Sequence, residues 1–584
     1  MARGPLAKDR RGSELVRTAC PTATRDQFNW LRMTNERCQE MSQERRDRRA
    51  RRLTGLLAAA VPLVAVIPLA ASASTQLAPA QATTPACTSV PVTAPQGAKI
   101  ESVQAERHEG GTLSFPATEL SPATVITDVP AYCEISVTVT HLGADDHVKV
   151  GITLPDTGWT GRLQGIGGSA YAAGNFGAPL VQAVKDGYVG VTTDAGVLSG
   201  LDTSWAVTAD GTVDQALLSD FASRSVHESA VIGKDVVRRH YQRAVSYSYW
   251  NGCSTGGRQG YEEAQDFPAD FDGILANAPA VNWTQFAVAT LWPQTVMNND
   301  HHFVSNCVLG AFQKAAIQAC DPRDGVTNGI IDRPDECGYD PRSLVGTTVL
   351  CDGREITVTT ADADVMRKIW NGPTDERGRS LWAGLPKGAD YTWLAGTAPG
   401  PDGALTAPGF PVAVQWVQAF LEKQPGFDTA QLTYAQYRDL FGQSVREYDR
   451  VIGTSDPDLS AFRRSGGKLI TFVGTADQLI PPGGTLAYRA QVEQRMGDAE
   501  RVNDFYRLFL APGVQHCGGG AGAQPTNELG ALVNWVEHGT APVTLAATTL
   551  DGSASRDLCP LPQVSRYQGY GDPALASSYR CTRF

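Results

Sequence analysis

Ser254 sits in Gly252-Cys253-Ser254-Thr255-Gly256, and His516 sits in Gly513-Val514-Gln515-His516-Cys517. Each touches a cysteine: Cys253 precedes the serine and Cys517 follows the histidine. Bonded to each other, these cysteines would hold a nucleophile beside its base across a long stretch of chain. A serine hydroxyl is a poor nucleophile until a base takes its proton, so the implied chemistry is attack on a carbonyl by a Ser–His–carboxylate relay. The orienting carboxylate is expected in the chain order Ser, Asp, His. Asp477 meets that expectation, in Gly474-Thr475-Ala476-Asp477 just past the run Lys468–Val473.

Read singly, each residue has a plainer explanation. Ser254 would cap a glycine-rich helix start, Asp477 would make an Asx-turn, and His516 would be a surface histidine. Agreement in order, spacing and context favours the triad over the three separate readings. Cys253 as the nucleophile fails on position, because it precedes the apex of the turn and should point away from substrate. A tetrahedral intermediate also needs hydrogen-bond donors. The amide of Thr255 is one, and Gly167 or Gly168, in Arg162-Leu163-Gln164-Gly165-Ile166-Gly167-Gly168, is expected to supply the second.

The elements that must position these groups follow a strand–helix rhythm. Glu134–Val139 alternates as a half-buried strand does, and Val148–Leu154, Arg162–Gly168, Tyr188–Thr193 and Val245–Trp250 are further strands. Val213–Gln242 has helical spacing throughout. Lys468–Val473 and Tyr506–Leu510 resume the strands, and Leu529, Leu532, Val533 and Val536 mark an apolar helix face. Such alternation predicts an α/β fold with a largely parallel sheet. Between 281 and 452 the texture turns to Trp, Gly, Pro and Asp with four cysteines, which predicts an inserted domain over the sheet's carboxyl edge. The expected organisation is therefore a leader (1–73), a Pro/Thr/Ala-rich linker (74–86), a catalytic domain in two parts (87–280 and 453–584), and a lid (281–452).

At 584 residues the chain is too long for one ordinary core. Hydrophobic content of 42% against 19% charged residues excludes a disordered or membrane-embedded chain, and a net charge of −11 argues against nucleic acid as a partner. Arginines 45, 46, 48, 49, 51 and 52 precede an apolar run from Leu53 to Ala70 and then Ala71-Ser72-Ala73, the pattern of a secretory signal. An uncleaved anchor is the rival reading, but Pro62, Pro68 and the small-residue ending favour cleavage. Arg51-Arg52 leaves twin-arginine export open beside the general route, and Met41 is an alternative start. A secreted protein without stable membrane association is expected. Of 12 cysteines, Cys20 and Cys38 lie in the leader, and the other ten form an even set suited to disulfides after export. Their pairing is left open by sequence alone.

With these residues in place, the chain resembles the tannase/feruloyl esterase family of α/β-hydrolases, which includes mono(hydroxyethyl) terephthalate hydrolases. The resemblance rests on Tyr249-Trp250-Asn251-Gly252-Cys253-Ser254-Thr255-Gly256-Gly257-Arg258, on the Asp477 segment, and on Pro512-Gly513-Val514-Gln515-His516-Cys517-Gly518-Gly519-Gly520. It continues through Leu558-Cys559-Pro560-Leu561-Pro562 and Gly571-Asp572-Pro573, spanning 87 to 581. It implies an α/β-hydrolase fold with a large lid and a carboxylic ester hydrolase, with Ser254 as nucleophile, His516 as base and Asp477 as its orienter. The implied substrate is a small aromatic ester of feruloyl, galloyl or terephthaloyl type, from a plant phenolic or a polyester. The triad alone also permits a peptidase or amidase, and the fold permits a non-catalytic cell-surface binding protein.

The resemblance further implies a structural calcium in the lid. Asp321-Pro322-Arg323-Asp324-Gly325-Val326-Thr327-Asn328-Gly329-Ile330 matches the family's loop, with Asp321, Asp324 and Asn328 side chains and Val326 and Ile330 carbonyls as ligands. Asn328 stands where an aspartate is usual, which removes one negative charge. An Asp/Gly loop without metal is the alternative. Cys87 with Cys133 and Cys559 with Cys581 follow the family's pattern. Cys320 and Cys337 bracket the calcium loop and are expected to pair, which leaves Cys307 for Cys351. An aromatic clamp for the acyl ring is expected in the lid, with Trp393, Phe410 and Trp416 as candidates beside Trp283, Phe286 and Trp382. Packing within the lid is the plainer role for each of them.

Overall fold

The computed structural model describes residues 86–118, 122–197 and 200–583. The expected leader, with Cys20 and Cys38, and the linker up to residue 85 lie outside the described residues. Among the described residues no helix is long and apolar enough to cross a membrane.

A nine-stranded sheet forms the frame. Its strands are β1 (Ala98–His108), β2 (Tyr132–His141), β3 (Val148–Pro155), β4 (Arg162–Ile166), β5 (Tyr188–Thr193), β6 (Tyr247–Cys253), β7 (Gly273–Asn277), β8 (Lys468–Gly474) and β9 (Tyr506–Ala511). They lie in the order β1-β2-β3-β5-β4-β6-β7-β8-β9. The β1–β2, β2–β3 and β3–β5 pairs are antiparallel. From β5 to β9 every pair is parallel.

Burial explains why these segments read as strands. Inner residues of β2 alternate buried and half-exposed, so its sequence alternates too. Every residue of β5 and β7 is buried, as expected for parallel strands covered on both faces. The covering helices are α1 (Ala178–Lys185), α2 (Ser225–His240), α3 (Thr255–Asp266), α4 (Pro482–Met496) and α5 (Glu528–His538). Val226 and Val236 of α2, Tyr261 of α3 and Val492 of α4 share one core with the strands. Leu180 of α1 and Leu532 and Trp535 of α5 pack in another.

The helix expected over 213–242 is interrupted. Asp214 caps a short helix, Gln215–Ser219, and a π-helical turn at Asp220–Arg224 precedes α2. The carbonyls of Phe221 and Ala222 in that turn accept hydrogen bonds from the buried Arg258 of α3 at 3.3 and 2.9 Å. A widened turn supplies such partners where a regular helix would keep its carbonyls to itself.

Between β7 and β8 the chain leaves the main sheet and builds the helical insert over Trp283–Ala289, Trp292–Asp300, Asn306–Cys320, Thr360–Asn371 and Tyr434–Ile452. Capping boxes at Thr359 and Thr433 start the last two. The insert's core joins Trp283, Trp416, Phe420 and Tyr437 to Tyr171 and Phe221 from the sheet domain, so both share one apolar cluster. All five expected disulfides are present: Cys87–Cys133, Cys253–Cys517, Cys307–Cys351, Cys320–Cys337 and Cys559–Cys581.

Candidate active site

Ser254 occupies the turn between β6 and α3 with φ 63° and ψ −123°. A non-glycine residue holds such a strained backbone only when its surroundings over-determine it. Here they do. The Ser254 amide donates to the Asn277 carbonyl at 3.1 Å, and its carbonyl accepts from Arg258 at 3.0 Å and Ala280 at 3.1 Å. The turn also needs bare backbone at its flanks: a Cβ on Gly252 would stand 2.3 Å from the Gly256 carbonyl oxygen.

Asp477 lies on the loop after β8 and is fully buried. Its Oδ1 accepts from the amides of Leu479 and Ile480 at 2.9 and 2.8 Å, and its Oδ2 meets His516 Nδ1 at 2.9 Å. The carboxylate makes Nδ1 the protonated nitrogen and leaves the Nε2 lone pair free. The neighbouring Gln478 accepts from the His516 amide at 3.0 Å, a positioning contact that sequence reading missed although the residue adjoins the acid. Cys253–Cys517 brings the elbow and the histidine loop together, with Cα atoms 5.9 Å apart over a sequence separation of 264. Ser254 is half-buried, and among the described residues neither its hydroxyl nor His516 Nε2 makes a hydrogen bond.

The expected glycine donors are corrected. Gly167 N donates to the Asn251 carbonyl at 3.1 Å, extending the sheet ladder, and Gly168 N donates to Gln259 Oε1 at 3.1 Å. Both amides are committed inside the fold. The amides of Thr255 and of Ala170 are not hydrogen-bonded among the described residues. Ala170 has φ 49°, and its carbonyl accepts from Thr255 Oγ1 at 2.7 Å, which ties the two segments together.

The aromatics of the helical insert separate by burial. Trp416 is fully buried, donates Nε1 to Ser444 Oγ at 2.9 Å, and packs against Trp283, Phe420 and Tyr448. It belongs to the core of the helical insert, which corrects its place among the clamp candidates. Trp283, Phe286 and Trp382 are buried as well. Phe410 packs half-buried on the same core, and Trp393 is 56% exposed.

In the loop expected to hold calcium, Asp321 accepts from the amides of Asn328 and Gly329 at 3.0 and 2.8 Å, and Asp324 accepts from Val326 at 2.9 Å. Val326 and Ile330 are buried beside them. Burial, and then the like charge of Asp332, push the Asp324 carboxyl up to about 7. Asp332 Oδ2 takes Arg556 at 2.7 Å, while its buried Oδ1 has no hydrogen-bond partner. This surplus of buried negative oxygen fits a hard cation. A different group, His141, Asp146 and Asp220, also lies at metal-ligand separation. There Arg224 pairs with Asp220 and Asp146 at 2.6 and 3.2 Å, and His141 reaches Glu228 at 3.0 Å, so the acids are met by the protein's own cations.

The sequence matches the family model described as tannase and feruloyl esterase over residues 133–582. The chain belongs to this family. It is 43% identical over 531 residues to a protein of Arthroderma benhamiae named "Probable feruloyl esterase", covering 89% of this chain and 98% of that one. It is 30% identical over 386 residues to "Feruloyl esterase B" of Aspergillus niger, covering 62% and 72% of the two chains. Among solved structures, tannin acyl hydrolase from Aspergillus niger superposes with a TM-score of 0.75 at 28% identity, covering 84% of this chain and 92% of that one. Feruloyl esterase B from Aspergillus oryzae gives 0.71 at 25%, covering 84% and 98%. As a member of the tannase and feruloyl esterase family the protein is a carboxylic ester hydrolase with the α/β-hydrolase fold.

Proposed function

We propose that the protein is a secreted serine esterase that hydrolyses esters of aromatic acids, feruloyl esters first among them, with residues 281–452 as the lid. The relatives' names support the acyl class, and ten paired cysteines support an oxidising compartment. One observation carries the catalytic assignment: the 2.9 Å His516–Asp477 contact sits on a loop bridged to the residue before Ser254.

Ser254 Oγ attacks the ester carbonyl while His516 Nε2 takes its proton. Asp477 holds the ring in the required tautomer and faces the imidazolium that forms. The oxyanion accepts from the amides of Thr255 and Ala170, where preorganised donors act without reorganisation cost. His516 then protonates the leaving alcohol, and water, activated by the same nitrogen, releases the acid from Ser254.

Calcium, when bound to Asp321, Asp324 and Asn328 side chains and the Val326 and Ile330 carbonyls, supplies charge compensation to the lid loop. A chelator is expected to lower Tm by several degrees, and an unchanged melting curve would remove the metal from this reading.

Methyl ferulate, methyl gallate and mono(hydroxyethyl) terephthalate, assayed with wild type and Ser254→Ala, test the whole proposal. Ser254-dependent turnover is expected, fastest on the ferulate. Absence of such turnover on all three esters would sink it, and turnover of peptides or amides alone would point to the other bond type.

A further inference from the structure

We propose that Thr475 is a positioning residue whose side chain ties the acid loop, the histidine loop and the lid's cation loop into one unit. The inference rests on the triad assignment above and goes beyond it.

Thr475 lies two residues before Asp477 and is buried. Its Oγ1 donates to the Ile331 carbonyl at 3.3 Å and accepts from the Gly513 amide at 3.0 Å. One hydroxyl therefore joins segments 144 and 38 residues away in sequence. Its own amide donates to the Ala511 carbonyl at 3.0 Å, and the next amide, of Ala476, donates to Val514 at 3.1 Å, so the acid and histidine loops run stitched together. The lid closes on the same spot. Ile330 lies so close over Gly513 that a Cβ there would be 2.4 Å from Ile330 Cγ2, and Gly513 has φ 69°. The cation loop is anchored in turn by Arg556–Asp332 and by Cys320–Cys337.

The consequence is geometric. Gly513 opens the five-residue stretch that carries His516 and ends at bridged Cys517. Any slack at Gly513 is passed to the imidazole, and small displacements at a reacting centre are costly in rate. Thr475→Val keeps the shape and deletes the hydroxyl, leaving the Gly513 amide buried without its partner. Thr475→Ser keeps the hydroxyl.

The test uses the full-length oxidised protein and three readouts: kcat and KM on methyl ferulate, Tm, and the rate at which a p-nitrophenyl phosphonate labels Ser254, read by intact mass. Thr475→Val is expected to lower kcat and the labelling rate about ten- to a hundredfold with KM nearly unchanged, and Thr475→Ser to recover most of both. A valine variant that labels and turns over like wild type while only its Tm falls would reduce Thr475 to packing and overturn the proposal. A serine variant as slow as the valine one would overturn it too. Should the valine variant not fold, Thr475→Ala deletes the same hydroxyl with a smaller side chain, and a wild-type labelling rate there would be equally fatal. If wild type labels at Ser254 but leaves methyl ferulate intact, the substrate assignment fails alone and the labelling ratios still decide Thr475. If Ser254 does not label at all, the triad assignment falls and takes this inference with it.

Discussion

Asp477 has no idle oxygen: Oδ1 is fixed by two amides and Oδ2 faces the imidazole. Asp477→Asn would keep the size but present an amide that tolerates the wrong imidazole tautomer, with Nε2 protonated and useless as a base. Steady-state kinetics should show kcat falling by about 10⁴-fold with KM little changed. A loss below tenfold would mean that Asp477 does not orient His516. The Asp477–His516 contact was legible in sequence because each residue sits in a short motif whose meaning is local. The unpartnered amides near the elbow were not. Which amide near Gly167 stays free depends on Gln259, 91 residues further along, filling the Gly168 position. Nor does a tryptophan announce its surroundings: Trp416 and Trp393 look alike in sequence, yet one is fully buried and the other 56% exposed.

At the scale of elements, the proposed triad needs three loops to agree, which the sheet alone does not enforce. The Cys253–Cys517 bridge supplies part of that agreement, and closing so long a loop is worth on the order of 5 kcal/mol in the chain-entropy account. Replacing both cysteines by serine, or adding reductant, should cut kcat by about tenfold or more and lower Tm, with Ser254, Asp477 and His516 all still present. An oxidised and a reduced enzyme of equal kcat would show that the bridge serves stability alone. Strands with a half-buried or fully buried pattern, such as β2 and β5, were readable from residue type. Strand β1 was not, because an edge strand rich in Lys, Glu, Gln and Arg carries little apolar signal. The π-turn at Asp220–Arg224 was equally silent, since apolar spacing along the chain continues through it while its carbonyls turn to Arg258.

For the molecule as a whole, burial of acids on α3 and on the π-turn packed against it couples stability to pH. Burial pushes Glu262 up to about 7 against the opposing charge of Arg258, and burial pushes Asp220 to about 7 against its pairing with Arg224. A folded-state value above the unfolded one means that the native protein holds more protons through the window from about 4.5 to about 7. Stability is then greatest at the acid side of that window and falls as pH rises through it, for Glu262 by on the order of 3 kcal/mol. Tm measured across this range should decline, and Glu262→Gln should flatten part of the decline. A slope left intact by that substitution would place the titration elsewhere.

The central claim is that Ser254 carries the acyl group during turnover. Rapid acid quenching of the enzyme during hydrolysis of methyl ferulate, followed by peptide mass spectrometry, reads this directly. The peptide containing Ser254 is expected to carry a feruloyl adduct, which should be absent from Ser254→Ala together with turnover. Ser254 found unmodified under conditions that trap acyl groups elsewhere on the chain, or a Ser254→Ala variant with wild-type kcat, would contradict it.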